Sequence, residues 1–194
     1  FIGAGSQAEY GRFEGKLNSN TPTFPENCYG MAKLCAGQMT RVYAEFLDLK
    51  HIWVRILSVY GINDGMQSMV MSTILKLKNG EVPQFTKGEQ MWDYLYNDDA
   101  AKAFRLLGES KISGKTYVLG SGKARPLSEY IEEIRKTVND KASINLGAIE
   151  YAKNQVMYLC ADTSDLEKDI GWRAETDFKT GIKSIYDALR RRKI

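Results

Sequence analysis

Histidine is almost absent from this chain and cysteine nearly so, with one His and three Cys in 194 residues. Cys28, Cys35 and Cys160 are too few and too scattered for a disulfide framework or a zinc site. Cys28 and Cys35 stand seven apart in one helical pattern and read as buried thiols, which suits a reducing compartment and hence the cytoplasm. His51, the lone histidine, precedes a strand and reads as structural, so no metal site is expected. Neither sign of charge dominates. Lys and Arg number 27 against 24 Asp and Glu, a net +3 with a pI near 8.6, too mild to argue for nucleic acid. Positive charge gathers mainly at Arg190-Arg-Arg-Lys193, where cations suit the C-terminal end of a helix. No apolar run approaches transmembrane length and no charged-then-apolar segment opens the chain, so neither a membrane span nor a secretory signal is expected. No repeat or low-complexity stretch is visible.

What remains is an ordinary globular composition, 43% hydrophobic and 26% charged. The length allows one full core, or one domain with an appended lobe. Phe1 to Ala4 reads as the end of a buried strand, and the Gly- and Pro-bearing stretch Tyr10 to Glu26 as a loop. From Asn27 to Leu47, Met31, Leu34, Cys35, Met39, Val42, Tyr43 and Phe46 recur at helical spacing. His51 to Tyr60 is β-branched and apolar, one buried strand closed by Gly61. Helices are predicted over Met66–Lys78, Asp98–Leu107, Leu127–Val138, Ser164–Asp169 and Phe178–Arg192, and strands over Glu81–Phe85, Trp92–Tyr96, Lys115–Leu119 and Ser143–Leu146. Strands alternating with helices mean an α/β fold with a mainly parallel sheet.

Two motifs compete for chemical meaning. Gly3-Ala-Gly5-Ser-Gln-Ala8 fits the dinucleotide fingerprint G-x-G-x-x-G/A, which works only where the glycine turn opens a helix. Glu9 to Pro25 carries no helical periodicity, so the fingerprint fails. Tyr29 and Lys33 are the sharper feature. Four apart on a helix, they stack on one face one turn apart. A phenol is a weak acid, with a reference pKa of about 10, and a neighbouring ammonium favours the phenolate. Such a pair can exchange a proton with an alcohol or a ketone. Alone, Y-x-x-x-K is a weak pattern.

The ordered stretches Gly5-Ser-Gln-Ala-Glu-Tyr-Gly11, Tyr29-Gly-Met-Ala-Lys33, Val54-Arg-Ile-Leu-Ser-Val-Tyr-Gly61, Trp92-Asp-Tyr-Leu-Tyr-Asn-Asp-Asp99 and Ala161-Asp-Thr-Ser-Asp-Leu-Glu-Lys-Asp-Ile-Gly-Trp172 span the whole chain. Together they resemble the extended short-chain dehydrogenase/reductase family, the NAD-dependent sugar-nucleotide epimerases, dehydratases and reductases. The resemblance implies the C-terminal part of a Rossmann-type doubly wound parallel sheet plus a small α/β substrate-binding lobe. Residues 1–65 would complete the Rossmann-type domain with its catalytic residues. Residues 66–194 would form mainly the lobe, with segments around 86–108 returning to the first domain. The glycine loop and the first nucleotide-binding half would precede Phe1.

Carried onto matching positions, the resemblance makes Ser6, Tyr29 and Lys33 a catalytic triad. Ser6 would hold the reacting sugar oxygen, Tyr29 would give or take its proton, and Lys33 would favour the phenolate and bind the nicotinamide ribose. Tyr29, Lys33 and Ile56 would contact NAD or NADP; Ser6, Gln7, Ser58, Trp92 and Arg125 would meet a nucleotide-diphosphate sugar. A homodimer through the Asn27–Leu47 helix is also implied.

Departures narrow the chemistry. Where the family's 4,6-dehydratases carry Asp-Glu after the Ser/Thr, this chain has Gln7-Ala8, and Glu9 would point to the other side of a continuing strand. Trp92 replaces the family's phosphate-contacting Arg and Ser58 its usual Asn, while Arg55 reads as a structural partner. Redox chemistry at one carbon remains, 4-keto reduction or C4 epimerisation. The rival readings are a non-catalytic nucleotide-sugar or NAD(P)-binding member, and a piece inactive without its cofactor half.

Overall fold

A computed structural model describes residues 1–191. Arg192 and Lys193, the end of the expected closing helix and of its basic run, lie outside the described residues. Strand β1 (Ile2–Ser6) runs into a single 3-10 turn (Gln7–Glu9), then a long loop leads to helix α1 (Cys28–Phe46). Strands β2 (Ile52–Ile56) and β3 (Ser58–Tyr60) follow, then α2 (Met69–Lys78), β4 (Met91–Trp92), β5 (Tyr94–Tyr96) and α3 (Asn97–Glu109). The chain continues through β6 (Lys115–Leu119), β7 (Arg125–Pro126), α4 (Leu127–Val138), α5 (Ser164–Ile170) and α6 (Phe178–Arg191).

β1, β2 and β6 form a parallel sheet in the order β1-β2-β6, with Gly3 opposite Trp53 and Ser6 opposite Ile56. The return to this sheet therefore reaches past residue 108 to β6, whose Val118 and Leu119 are buried. Alternation along β2 sorts its side chains by face. Ile52 and Val54 pack with Ala103 and Leu107 of α3 and with Trp172. Trp53 and Arg55 face the opposite way, toward α1 and the 3-10 turn.

The single strand expected over His51–Tyr60 divides at Leu57. Its amide donates to Leu119 O, and β3 leaves the sheet to pair with β5. The strand expected over Trp92–Tyr96 divides at Asp93, whose side chain turns inward to the exit of β6. Glu81–Phe85 and Ser143–Leu146 form no strands; a lone parallel bridge joins Gln84 to Asn145. Helix α2 starts at Met69 rather than Met66 because Ser68 caps it, accepting from Met71 N.

The lobe has its own core, drawn from α2, α4 and α6 around Tyr60. Ile74, Ile134, Ile182 and Ile185 are wholly buried there, each contributing roughly 1.5–3 kcal/mol relative to exposure. Residues 10–26 form a loop tied down at its middle, where Leu17 N donates to Cys160 O and Asp162 N to Leu17 O.

Helix α1 reverses the expectation set by its apolar spacing. Its buried residues are Gly30, Gly37 and Ala44, while Met31, Met39, Val42, Tyr43 and Phe46 are exposed, Phe46 by 84%. Cys28 and Cys35 are exposed as well, which corrects the expectation of buried thiols. Small residues let the helix lie close to the sheet, and the large ones are left outside.

Candidate active site

Ser6 ends β1 and caps the turn that follows. Its Oγ accepts from Ala8 N at 3.2 Å, and its own amide donates to Glu9 Oε1 at 2.8 Å, a reciprocal capping box. With an acceptor site of Oγ taken up by the turn, the hydroxyl proton is available to donate outward. A one-turn 3-10 helix thus opens where the failed fingerprint suggested no helix at all. It is too short to make a phosphate site. The glycines of that motif have another use: an added Cβ at Gly3, Gly5 or Gly37 would stand 2.2 to 2.8 Å from the Trp53 ring. They form the seat of an indole.

Tyr29 lies in the first turn of α1, where Asn27 Oδ1 accepts from Gly30 N at 2.8 Å. Gly30 presses against the Ser6 turn so closely that a Cβ would stand 2.2 Å from Ala8 O. That contact brings the start of α1 to the end of β1. Tyr29 is 58% exposed. Lys33 Nζ donates to Ala4 O at 2.8 Å and sits 5.8 Å from the Tyr29 ring centroid. The three residues therefore converge on the C-terminal end of β1, where open α/β sheets meet their ligands. Gln7 and Ile56 border this end, both half-buried, Ile56 directly across from Ser6.

Glu9 is where sequence reasoning fell short. It neither continues a strand nor points to solvent; it is fully buried and accepts from Ser6 N, Trp53 Nε1 at 3.0 Å and Arg55 Nε at 2.8 Å. Arg55 also donates to Tyr10 Oη at 3.0 Å, and burial pushes the Tyr10 phenol above its ordinary range. The missed signal was the pairing of a lone acid after β1 with an Arg on the adjacent strand.

The remaining expected ligands are spread out. Trp92 Nε1 donates to Ser58 Oγ at 2.8 Å, so these two residues act as one unit. Arg125 pairs with Glu133 and lies 4.0 Å over the Tyr130 ring, lining a cavity of about 430 Å³ with Tyr94, Phe178 and Lys179. Ser6, Tyr29 and Lys33 do not line that cavity. His51 is buried, its Nε2 3.0 Å from Thr40 Oγ1, and burial lowers its pKa. Burial pushes the Cys160 thiol up to about 11, and a thiol held protonated is a poor nucleophile. Among the described residues no cluster of three His, Cys, Asp or Glu could hold a metal, and no helix is long and apolar enough to cross a membrane.

A parallel sheet with Ser6 at a strand end and Tyr29 and Lys33 on the covering helix defines a Rossmann-type α/β protein. The profile of the NAD dependent epimerase/dehydratase family matches residues 1–120, and the chain belongs to that family. It is 32% identical over 151 residues to the CDP-abequose synthase of Salmonella muenchen, covering 76% of this chain and 51% of that protein. It is 27% identical over 186 residues to the dTDP-4-dehydro-6-deoxyglucose reductase of Escherichia coli, covering 93% of this chain and 58% of that one. In fold it is similar to the UDP-glucuronic acid 4-epimerase of Bacillus cereus in complex with UDP-glucuronic acid and NAD. That match has a TM-score of 0.89 at 20% identity and covers 98% of this chain and 61% of the other. The chain spans a little over half the length of these two curated relatives.

Proposed function

We propose that this chain carries the proton-transfer and substrate-holding part of an NAD(P)-dependent enzyme acting at C4 of a nucleotide-diphosphate sugar, by 4-keto reduction or C4 epimerisation. The observation that carries the reading is the convergence of Ser6, Tyr29 and Lys33 on the end of β1, fixed by Gly30 against Ala8 and by Lys33 on Ala4. The relatives' names support it, since one is a 4-dehydro-sugar reductase and one a 4-epimerase.

The donors suit a nicotinamide nucleotide. Lys33 has committed one N–H to Ala4 O, and its two others, beside a phenol, match the paired hydroxyls of a ribose. NAD or NADP, when bound, supplies or accepts the hydride. The chain's own residues handle the oxygen. Ser6 Oγ–H donates to the C4 oxygen and fixes its position. Tyr29 Oη gives that oxygen its proton during reduction and takes it back during oxidation. Lys33 keeps its ammonium beside the Tyr29 ring. The Ser58–Trp92 pair presents a hydroxyl and a flat ring to the nucleotide side of the substrate, and Gln7 borders the sugar. The absence of carboxylates at positions 7 and 8 argues against dehydration.

In the full-length protein, Tyr29→Phe should lower kcat for hydride transfer from NAD(P)H to a 4-keto nucleotide sugar by about 10²-fold or more. Undiminished turnover overturns the role of Tyr29. The exposed apolar face of α1 supports pairing with a second copy. Light scattering should then give twice the chain mass, and a monomer counts against it. The three cysteines are free thiols, which supports a cytoplasmic setting.

A further inference from the structure

Two groups placed far apart in sequence meet behind Ser6. Glu9 is 0% exposed and holds three donors: the Ser6 amide and the Trp53 indole on Oε1, and Arg55 Nε on Oε2. Trp53 in turn fills the seat left by Gly3, Gly5 and Gly37, so it touches both β1 and the helix bearing Tyr29 and Lys33. Arg55 continues to Tyr10 Oη, and Tyr10 to Asn18 O, which fastens the far end of the turn. These side chains have almost no surface with which to touch a ligand, since Glu9, Tyr10, Trp53 and Arg55 are all buried. A buried ion pair is also a poor way to gain stability, because apolar residues of similar volume hold a fold as well or better. What apolar residues cannot do is accept the Ser6 N–H.

We propose that Glu9 is a positioning residue: its carboxylate, neutralised by Arg55, sets the backbone of Ser6 and thereby the direction of the Ser6 hydroxyl. The role rests on the C4 redox reading. Glu9 itself moves no proton and meets no substrate. Arg55 makes the buried carboxylate tolerable, and Trp53 relays its position to α1, so the serine on the strand and the tyrosine on the helix share one support.

The test compares two paired variants of the full-length protein, Glu9→Leu/Arg55→Leu and Glu9→Gln/Arg55→Leu. Both remove the two charges together, so neither leaves an orphan ion. Only glutamine keeps an oxygen for the Ser6 amide. The leucine pair should lose about 10²-fold in kcat, the effect of a misplaced reacting group, with the KM for NAD(P)H within about twofold of wild type. The glutamine pair should recover kcat to within about threefold. A merely structural role predicts equal kcat in both, and that result overturns the proposal. Hydrogen exchange at the Ser6 amide gives an answer independent of turnover. It should be faster by about tenfold or more in the leucine pair and unchanged in the glutamine pair; equal rates overturn the proposal. If the wild type reduces no 4-keto nucleotide sugar, the functional reading fails while the exchange contrast still decides the role of Glu9. If the leucine pair does not fold, the glutamine pair decides alone, and a kcat more than about 30-fold below wild type there overturns the proposal.

Discussion

Two turns leave the sheet from the strands on either side of β2, and each is fastened by a wholly buried carboxylate. The turn after β1 is held by Glu9 and the turn after β6 by Asp93. Glu9 faces a guanidinium, an indole and one amide. Asp93 faces four uncharged donors: Ser121 N at 2.7 Å, Ser121 Oγ at 2.6 Å, Gly122 N at 3.0 Å and Ala161 N at 3.0 Å. Three of those are backbone, and they come from two segments that Asp93 ties together, the exit of β6 and the chain at Ala161. The two carboxylates therefore do different work. Asp93 is built into the fold, joining the β4–β5 junction to the exit of β6 and to the chain at Ala161. Glu9 ties the turn after β1 to side chains of the adjacent strand β2, and its countercharge is one of those side chains, which can be removed with it. A buried anion held by backbone donors secures architecture; one held by a partner side chain leaves room to tune a single residue's position.

The largest expected effect follows from that difference. Asp93→Asn keeps size and shape but offers one oxygen where four donors converged. At least two buried donors lose their acceptor, at about 1–3 kcal/mol each, so unfolding stability should fall by about 3–5 kcal/mol. Urea denaturation at an unchanged slope measures it. No partner substitution can rescue the loss, because most of the orphaned donors are main chain. Glu9→Gln/Arg55→Leu, which removes both charges but keeps an oxygen for the Ser6 amide and the Trp53 indole, should instead stay within about 1–2 kcal/mol of wild type. If Asp93→Asn is the milder of the two, the contrast between the turns collapses.

The same contrast explains what could be read from the sequence. Asp93 sits in a Trp-Asp-Tyr segment that carries part of the family resemblance, but neither its structural role nor its partners, 28 and 68 residues away, were legible. Tyr29 and Lys33 were legible because helical spacing alone puts them on one face. Glu9 was not, because reading it as the next residue of a strand puts it on the wrong side; a single 3-10 turn rotates it inward. The apolar spacing of α1 identified a helix correctly but not its inner face, since tertiary packing chose Gly30, Gly37 and Ala44. Strand breaks at Leu57 and Asp93 were hidden for a similar reason: only the pairing shows where each segment changes partner, β2 with β6 but β3 with β5, and β4 with β7 but β5 with β3. The glycines at 3 and 5 were read as a failed phosphate loop, and their true partner lies some 50 residues downstream in Trp53.

A smaller and more selective effect should come from Gly30→Ala. In an open helix the change would stabilise by roughly 1 kcal/mol. Here the new Cβ would stand 2.2 Å from Ala8 O and 2.8 Å from Ala8 C, backbone atoms that cannot rotate aside. The start of α1 must therefore draw back from the Ser6 turn, carrying Tyr29 with it. Overpacking of this kind costs about 1–3 kcal/mol, partly offset by the gain in helix propensity. The expected net loss of stability, about 1–2 kcal/mol, is well below that of Asp93→Asn. The expected loss in kcat, about 10- to 100-fold, is nonetheless large, because the shift falls between the hydroxyl proposed to hold the sugar oxygen and the phenol proposed to protonate it. Gly65→Ala, with nothing within 4 Å of the new Cβ, is the matched control and should leave both quantities unchanged. If Gly30→Ala keeps full turnover, the separation of Tyr29 from Ser6 is not set by this contact, and the turn after β1 has no more claim on function than the turn after β6.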